Sequence, residues 1–352
     1  MECNQAKEQA MTIPRKQQIC LEETPYYHCV SRCVRRAFLC GEDELTGRSY
    51  EHRRDWVVDQ LKQLTEVFAI GICAYAVMHN HNHIVVKVDQ SSAMSWSNDE
   101  VIFRWTNLYH PSPIVARYLE GIKLSKAEKR VVSEDIEKWR HRLYDISWFM
   151  RNLNETIARR ANEEDGCTGR FWEGRFKSQA LLDDAALFTC MSYVDLNPIR
   201  AGIAETPENS EYTSIEERIR TYHKTLNQTG CKTKAQIKSP MGLVPFTGGE
   251  HQEKQDGLCF SLTDYFQLTD WAGRAIREDK SAAIPSHLSP ILERLSIDSE
   301  AWLNTVRNYN KSYYTVAGTR EGIKKYGDAL GRKWFCSARV ASQLYQSSYH
   351  LK

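Results

Sequence analysis

The sequence predicts an α+β protein. Three observations predict this class: alternating residues over 24–40, a helical stripe over 51–68, and apolar runs of strand character directly behind that stripe. The 352 residues, of which 41% are hydrophobic, suffice for one large or two ordinary domains with sizeable cores. We therefore expect a folded protein rather than a disordered chain.

The first elements are a strand, a helix and further strand material. The 24–40 strand has two faces, formed by Tyr27, Cys29 and Ser31 and by His28, Val30 and Arg32. The helix over 51–68 has one apolar stripe, made of Trp56, Val57, Leu61, Leu64, Val67 and Phe68. Residues 69–78 and 84–88 are typical of buried strands, which form one bent strand or a hairpin.

The middle of the chain is predicted to add helices. Residues 90–143 are charged and are broken early by two prolines, which indicates an insertion of helices and loops. An amphipathic helix is predicted over 146–164, where apolar residues recur at four-residue steps. The 170–178 segment is then expected to form a strand, and a helix to run from its N-cap Asp184 to Asn197.

Composition divides the chain into four predicted parts. Residues 1–23 form a polar N-terminal arm, and residues 24–215 form the main domain. Residues 216–257 are predicted to be a linker, because hydrophobic periodicity disappears among proline, glycine and polar residues. Residues 258–352 are predicted to form a helical accessory domain, with helices over 262–279, 289–309 and 318–335.

Charge and cysteine content limit the possible classes. Lys and Arg number 47 against 45 Asp and Glu, so the net charge of +2 neither indicates nor excludes nucleic-acid binding. Eleven irregularly spaced cysteines and no apolar N-terminal signal predict a reducing compartment, the cytoplasm. The longest apolar stretch, 67–78, is shorter than the roughly 18–20 residues that cross a bilayer. Cys29 and Cys33 are expected to be structural, without a zinc cluster.

Three histidines lie in the segment YAVMHNHNHIVVKVD at 75–89. His79, His81 and His83 are spaced by two, so on a strand all three imidazoles leave the same face. Neutral imidazole is a good ligand for divalent metals and leaves coordination positions open for substrate and water. The pattern predicts a metal site. The alternative is that these side chains only satisfy polar groups at a strand end.

A second cluster, in the helix after Asp184, offers a nucleophile. Tyr193 and Asn197 lie four residues apart, on one flank of a buried stripe. A phenol with a pKa of about 10 is a poor nucleophile, but a metal that polarises the scissile phosphate lowers the barrier. The Asn197 carbonyl oxygen could reach the same ion. The alternatives are a tyrosine at the edge of the core and an asparagine that stops the helix before Pro198.

Cationic and aromatic residues between these clusters are candidates for substrate contacts. Arg170, Arg175 and Lys177 could hold phosphates, and the indole of Trp172 could stack on an unpaired base. The alternative is that Trp172 and Phe176 belong to the core while the charges form a solvated face. The basic run at 123–130 is a weaker candidate, because such a run on a helix is usually only a soluble surface.

Three motifs in this order carry a resemblance to a known family: NHNHIVV at 80–86, FWEGRFKS at 171–178 and YVDLNPIRAG at 193–202. Over roughly residues 24–215 the chain resembles the single-tyrosine HUH transposases, most closely their REP-associated tyrosine transposase branch. The resemblance implies that this range is the catalytic domain. It also implies a ferredoxin-like core in which a central antiparallel sheet carries the histidine pair.

By motif position the resemblance implies a site. His81 and His83 would bind Mg²⁺ or Mn²⁺ with Asn197 as third ligand, and Tyr193 would be the nucleophile. Members of the family cut single-stranded DNA beside a hairpin, keep the 5′ phosphate on the tyrosine and later rejoin strands. Asn82 departs from the apolar residue that usually separates the two histidines. His79 also departs from the family pattern, and it is either a bystander or an added ligand.

The expected function is therefore nicking and strand transfer of single-stranded, hairpin-bearing DNA by a monomer or a homodimer, without a membrane partner. Two alternatives stay open. The first is a domesticated protein that binds DNA hairpins without cutting them. The second is a metallohydrolase with a zinc site made of His79, His81 and His83.

Overall fold

A computed structural model describes most of the chain. The described residues are 14–34, 39–43, 47–229, 239–248, 257–277, 292, 295, 297–332, 335, 337 and 341. Most of the predicted N-terminal arm, the middle of the predicted linker and much of the 278–298 and 333–352 stretches lie outside them.

The centre of the molecule is a five-stranded sheet, accompanied by a separate two-stranded ribbon. In chain order the strands are β1 (Tyr26–Arg32), β2 (Glu42–Asp43), β3 (Arg48–Ser49), β4 (Ile70–Val77), β5 (His81–Val88), β6 (Lys177–Leu181) and β7 (Val316–Ala317). The ribbon pairs β2 with β3, and the sheet has the order β4-β5-β1-β6-β7. Its first four strands are antiparallel to their neighbours, whereas β7 runs parallel to β6.

Twelve α-helices accompany the sheet in the described residues. They are α1 (Arg53–Val67), α2 (Gln90–Ser95), α3 (Asn98–Thr106), α4 (Pro113–Leu119), α5 (Lys126–Arg142), α6 (Ile146–Glu164), α7 (Asp184–Asp195), α8 (Asn197–Arg200), α9 (Ser214–Thr229), α10 (Leu262–Arg277), α11 (Ser299–Ser312) and α12 (Arg320–Ala329). The order β1–α1–β4–β5–α6–β6, with β1 between β5 and β6, is the ferredoxin-like arrangement. The predicted α+β class and its ferredoxin-like core are confirmed.

One face of the sheet is covered by α1 and α6. The predicted apolar stripe of α1 is buried at Val57, Leu61, Leu64 and Val67. Helix α6 occupies the predicted range and begins after Asp145, whose side chain accepts a hydrogen bond from the Ser147 N–H at 2.6 Å. The inserted region between β5 and α6 forms helices α2 to α5, as predicted.

The histidine segment forms a hairpin rather than one bent strand. Strand β4 ends at Val77 and β5 begins at His81, so His79 lies in the turn, where it is exposed. The expectation that three imidazoles leave one face of a strand is therefore wrong for His79. Of the three motif histidines, only His81 and His83 lie on the face that α7 covers. Asn82 points to the opposite face, beneath α6.

Helix α7 lies in the middle of the second layer and is buried on all sides. Every residue from Ala185 to Asp195 is buried, because the sheet covers one side of the helix and α10 and α11 cover the other. The Phe188 ring meets those of Tyr265 and Trp302 at centroid distances of 5.7 and 5.9 Å. The prediction of a single buried stripe is therefore wrong. The N-cap is Asp183 rather than Asp184, and its side chain accepts from the Ala186 N–H.

The described parts of the C-terminal third pack against the sheet and α7, across the predicted boundaries between main domain, linker and accessory domain. Helix α9 starts within the predicted main domain and runs into the predicted linker, and Leu243 forms a bridge to Ile72 of β4. At Gly71 a Cβ atom would stand 2.7 Å from Val244, so this segment lies directly on the sheet. Strand β7 extends the sheet beside β6. Composition does not predict these contacts, because they join residues that are far apart in the sequence.

Two further expectations concern cysteines and membranes. None of the eight described cysteines forms a disulfide with another described residue. Among the described helices, none combines the length and apolar character needed to cross a bilayer. The cytoplasmic location stays a prediction.

Candidate active site

The candidate site lies where the central strands meet α7. His81 and His83 project from β5 toward α7, and His28 projects from β1 on the same face. The His83 ring centroid is 4.8 Å from that of His81, 5.1 Å from that of His28 and 5.5 Å from that of Tyr193. The fold thus brings the histidine motif and the tyrosine motif together.

Each predicted metal ligand among the histidines uses one ring nitrogen and leaves the other available. His83 Nδ1 lies 2.9 Å from His28 Nε2, and His81 Nδ1 lies 2.6 Å from Asn80 Oδ1. His83 Nε2 is buried and has no hydrogen-bond partner among the described residues. A buried imidazole nitrogen without a hydrogen-bond partner binds a divalent metal ion when it carries the lone pair, so the histidine pair fits the predicted ligand role.

The three imidazoles are neutral at neutral pH. Burial lowers the pKa of His28 and of His81 to about 4. For His28 the contact with Gln179 partly opposes this shift and His81 adds to it, and for His81 the Arg32 charge adds to it. Burial also lowers the pKa of His83 well below its ordinary value, helped by the other two imidazoles. Neutral imidazole is the form that binds metals.

Tyr193 is enclosed on both faces of its ring. Its ring stacks on Tyr309 of α11 at a centroid distance of 4.6 Å, and the Arg200 guanidinium lies 4.8 Å from the ring centroid. The side chain is fully buried, and its hydroxyl has no hydrogen-bond partner within the described ranges of the chain. Burial raises the pKa of Tyr193, while the neighbouring Arg200 and Asn197 side chains act to lower it. In this arrangement the predicted nucleophile is a shielded, neutral phenol.

Asn197 begins helix α8, and its carbonyl oxygen is already in use. That oxygen accepts a hydrogen bond from Arg200 at 3.2 Å, and Arg200 also donates to the Arg307 carbonyl at 2.8 Å. The Asn197 amide nitrogen is buried without a partner among the residues that the structure describes. An amide oxygen has two lone pairs, so the hydrogen bond from Arg200 leaves one of them for a metal ion, and the third-ligand role stays a prediction.

The alternative zinc site of three histidines is not formed. His79 is exposed in the hairpin turn, away from the strand face that carries His81 and His83. No group of three or more His, Cys, Asp or Glu residues that could hold a metal occurs in the described part of the chain. His79 is therefore a bystander in this structure.

A cavity of about 570 Å³ opens beside the histidines. Its lining includes His81 and His83 together with the predicted contacts Arg175 and Lys177, which are both exposed. Arg32 and Glu173 also line it and form an ion pair at 3.5 Å, which reduces the local positive charge. Arg170 is exposed as well, although the described lining of this cavity does not include it.

The structure corrects the prediction for Trp172. The 170–176 segment is a loop with one bridge between Trp172 and Cys33, and β6 begins only at Lys177. Trp172 is buried against Phe171, and its indole N–H donates to the Asn154 carbonyl at 2.8 Å. An indole held in this way cannot stack on an unpaired base, so Trp172 and Phe176 belong to the core.

Four residues of the site were missed by sequence reasoning: His28, Gln179, Arg200 and Tyr309. Alternation in the first strand already put His28 on the face opposite Tyr27, which was the available signal. Gln179 follows from the register of β6, since it pairs with His28. Nothing in the local sequence of α11 indicates that Tyr309 reaches the site.

Comparisons with known proteins give little further information. No protein-family model and no curated protein matches the chain. Among solved structures, the chain is similar to a REP-associated tyrosine transposase bound to a REP hairpin, at 11% identity. The match covers 70% of this chain and 97% of that chain, with a TM-score of 0.34. At this TM-score the likeness carries no argument about function.

Proposed function

We propose that the protein nicks and rejoins single-stranded, hairpin-bearing DNA through a covalent bond between Tyr193 and a 5′ phosphate. One observation carries the proposal: His83 and Tyr193, from motifs far apart in the chain, face each other at 5.5 Å between ring centroids. The hairpin as substrate is inferred from the motif resemblance alone.

The proposed reaction is a transesterification at phosphorus. The Tyr193 oxygen forms a bond to phosphorus as it loses its proton, the bond to the 3′ oxygen breaks, and that oxygen takes up a proton. The reverse reaction rejoins a 3′ hydroxyl to the phosphotyrosine, so no nucleotide cofactor is needed.

Two groups of residues would support this step. His81 and His83, with Asn197 as the proposed third ligand, would hold Mg²⁺ or Mn²⁺, which supplies charge stabilisation at the scissile phosphate. Arg175 and Lys177 at the rim of the cavity offer cations for the neighbouring phosphates.

The test uses 5′- and 3′-labelled hairpin oligonucleotides from the flanks of the protein's own gene, with Mg²⁺ or EDTA, on a denaturing gel. We expect a metal-dependent adduct that keeps the label downstream of the cut. Tyr193→Phe should abolish the adduct but leave DNA binding within about twofold, because the phenol is not a phosphate contact. Tyr118→Phe, at a half-exposed tyrosine of α4, is the matched control and should behave as wild type.

One observation favours a second candidate function, that of a domesticated hairpin binder. Tyr193 is fully buried between Tyr309 and Arg200, and its hydroxyl does not reach the surface. A protein that only binds hairpins would retard these oligonucleotides on a native gel but would form no covalent adduct with either Mg²⁺ or Mn²⁺. That result, obtained with hairpins of varied loop and stem, would contradict the nicking proposal and support a hairpin-binding function.

A further inference from the structure

We propose that the buried pair Gln179 and His28 fixes the tautomer of His83, so that Nε2 of His83 keeps its lone pair for the metal ion. Both are positioning residues, since they act through His83. The inference rests on the metal role proposed for His83, but it concerns an arrangement that exists before metal or DNA binds.

The three side chains form one row across neighbouring strands. Gln179 of β6 pairs with His28 of β1, and His83 of β5 stands diagonally beside His28. All three lie on the face that α7 covers, and each is buried, with at most 4% of its surface exposed. All three also border the cavity beside the histidines, but their burial leaves these contacts mainly to protein groups, so their donors and acceptors must match one another.

The Gln179 carbonyl oxygen determines which atoms donate and which accept along the row. Gln179 Oε1 accepts from the Tyr309 hydroxyl at 2.7 Å and lies 3.3 Å from His28 Nδ1. A carbonyl oxygen has no proton to donate, so His28 Nδ1 must carry the hydrogen in this contact. A neutral imidazole has one N–H, and His28 Nε2 is therefore an acceptor.

The contact between His28 and His83 then fixes which nitrogen of His83 carries the proton. Because His28 Nε2 accepts, His83 Nδ1, at 2.9 Å, must be the donor. The only hydrogen of the neutral His83 ring is then on Nδ1, and Nε2 carries the lone pair. This nitrogen is the buried one that lacks a partner among the described residues.

The opposite orientation of the Gln179 amide makes the opposite prediction. If the amide NH₂ faced His28, it would donate to Nδ1, His28 Nε2–H would donate to His83 Nδ1, and His83 would carry its proton on Nε2. A protonated Nε2 cannot bind a metal. The tautomer of His83 therefore decides between the two arrangements.

The first experiment reads the tautomer directly. Full-length, metal-free protein labelled with ¹⁵N-histidine is measured by long-range ¹H–¹⁵N correlation at pH 7, and the His83 signals are assigned by their loss in His83→Gln. We expect a protonated Nδ1 and an unprotonated Nε2 for both His28 and His83. A His83 ring that is protonated on Nε2 would overturn the proposal.

The second experiment removes the acceptor. Gln179→Met keeps the side-chain length without an acceptor for His28, and we expect mixed tautomers at His83 and about a tenfold or larger loss of Mn²⁺ affinity, measured by EPR of free Mn²⁺. Gln179→Glu keeps an acceptor oxygen and should retain the Nδ1–H tautomer. Gln63→Met, at an exposed glutamine of α1, is the matched control and should leave both readouts unchanged.

An unchanged tautomer and unchanged Mn²⁺ affinity in Gln179→Met would also overturn the proposal. Neither experiment uses DNA, so failure here is separate from failure of the nicking function. Conversely, the expected tautomer together with no adduct on any hairpin would count against the proposed function and leave the Gln179–His28 row intact.

Discussion

At the scale of single residues, burial has opposite effects on the two halves of the candidate site. It keeps His28, His81 and His83 neutral, which favours metal binding. The same burial raises the pKa of Tyr193 and so opposes loss of the phenol proton. The stacked Tyr309 and the Arg200 cation are the groups that would have to move or act on Tyr193 before it reacts.

Burial of His28 predicts a pH-dependent contribution to stability. Its folded-state pKa of about 4 lies below the ordinary 6.5, so the unfolded chain binds more protons between these values. Stability that is present above pH 6.5 is therefore lost as the pH falls toward 4. The free energy of unfolding of wild type relative to His28→Gln should fall by up to about 3 kcal/mol between pH 7 and pH 4, measured by urea unfolding.

The comparison with His28→Gln is needed because another buried group acts in the opposite direction. Burial raises the pKa of Asp195 to about 6, although its carboxylate accepts from Ser214, Tyr265 and the Ile215 N–H. Its contribution is present at low pH and is lost as the pH rises toward 6. Asp195 is common to both proteins, so it cancels in the difference. A difference that does not change with pH would contradict the prediction.

At the scale of elements, α7 depends on its cover from the C-terminal helices. Trp302 of α11 is fully buried and lies 5.9 Å from Phe188 of α7 between ring centroids. Trp302→Ala should lower the free energy of unfolding by about 3–5 kcal/mol, because it opens a large cavity against α7. Urea unfolding of the full-length protein, followed by circular dichroism, measures this loss.

The same measurement tests whether the C-terminal region shares the core of the sheet. A shared core predicts one unfolding transition that moves as a whole in Trp302→Ala. Two transitions, of which the variant moves only one, would support the separate accessory domain that composition predicts. Phe103→Ala, at a phenylalanine of α3 that is 63% exposed, should change stability by less than about 0.5 kcal/mol.

Across the molecule as a whole, the proposed DNA binding would have to depend on local charge. The net charge of +2 provides no general attraction, while Arg175 and Lys177 line the cavity beside the histidines. We expect Arg175→Ala to weaken hairpin binding and to reduce the slope of log Kd against log salt concentration by about 1, because one phosphate contact is lost. Fluorescence anisotropy over a range of salt concentrations measures both changes.

The basic run on α5 supplies the control for this prediction. Arg130 is 82% exposed and pairs with Glu134 on its own helix, which is the arrangement of an ordinary solvated face. Arg130→Ala should leave affinity and salt slope unchanged. Equal losses in Arg130→Ala and Arg175→Ala would show that binding is spread over the surface and does not centre on the cavity.

Much of the fold could be predicted because its signals are local. The helix stripe at Val57, Leu61 and Leu64, the range of α6 and the second half of β5 follow from side-chain periodicity within one element. The sequence motifs themselves identify His83 and Tyr193 as candidate site residues. Their closeness does not follow from periodicity, since it depends on how α7 packs on the sheet.

The remainder of the site depends on long-range contacts that a sequence pattern does not encode. Trp172 is of a residue type that often stacks on bases, yet its indole N–H donates to the Asn154 carbonyl in the core. Tyr309 lies in a helix with no motif and reaches Tyr193 only because α11 packs on α7. Propensity and period describe single elements, and tertiary packing then decides which of their side chains meet.

The parallel pairing of β7 with β6 has a consequence for the order of events during synthesis. Gln179 lies on β6, and its hydroxyl partner Tyr309 comes from the helix just before β7. His28 and His83 are 55 residues apart in the chain, whereas Gln179 and Tyr309 are 130 residues apart, so the contact that holds the Gln179 oxygen can form only after Tyr309 has been synthesised. The hydrogen-bonded row proposed to position the His83 proton is therefore complete only once α11 has packed on α7.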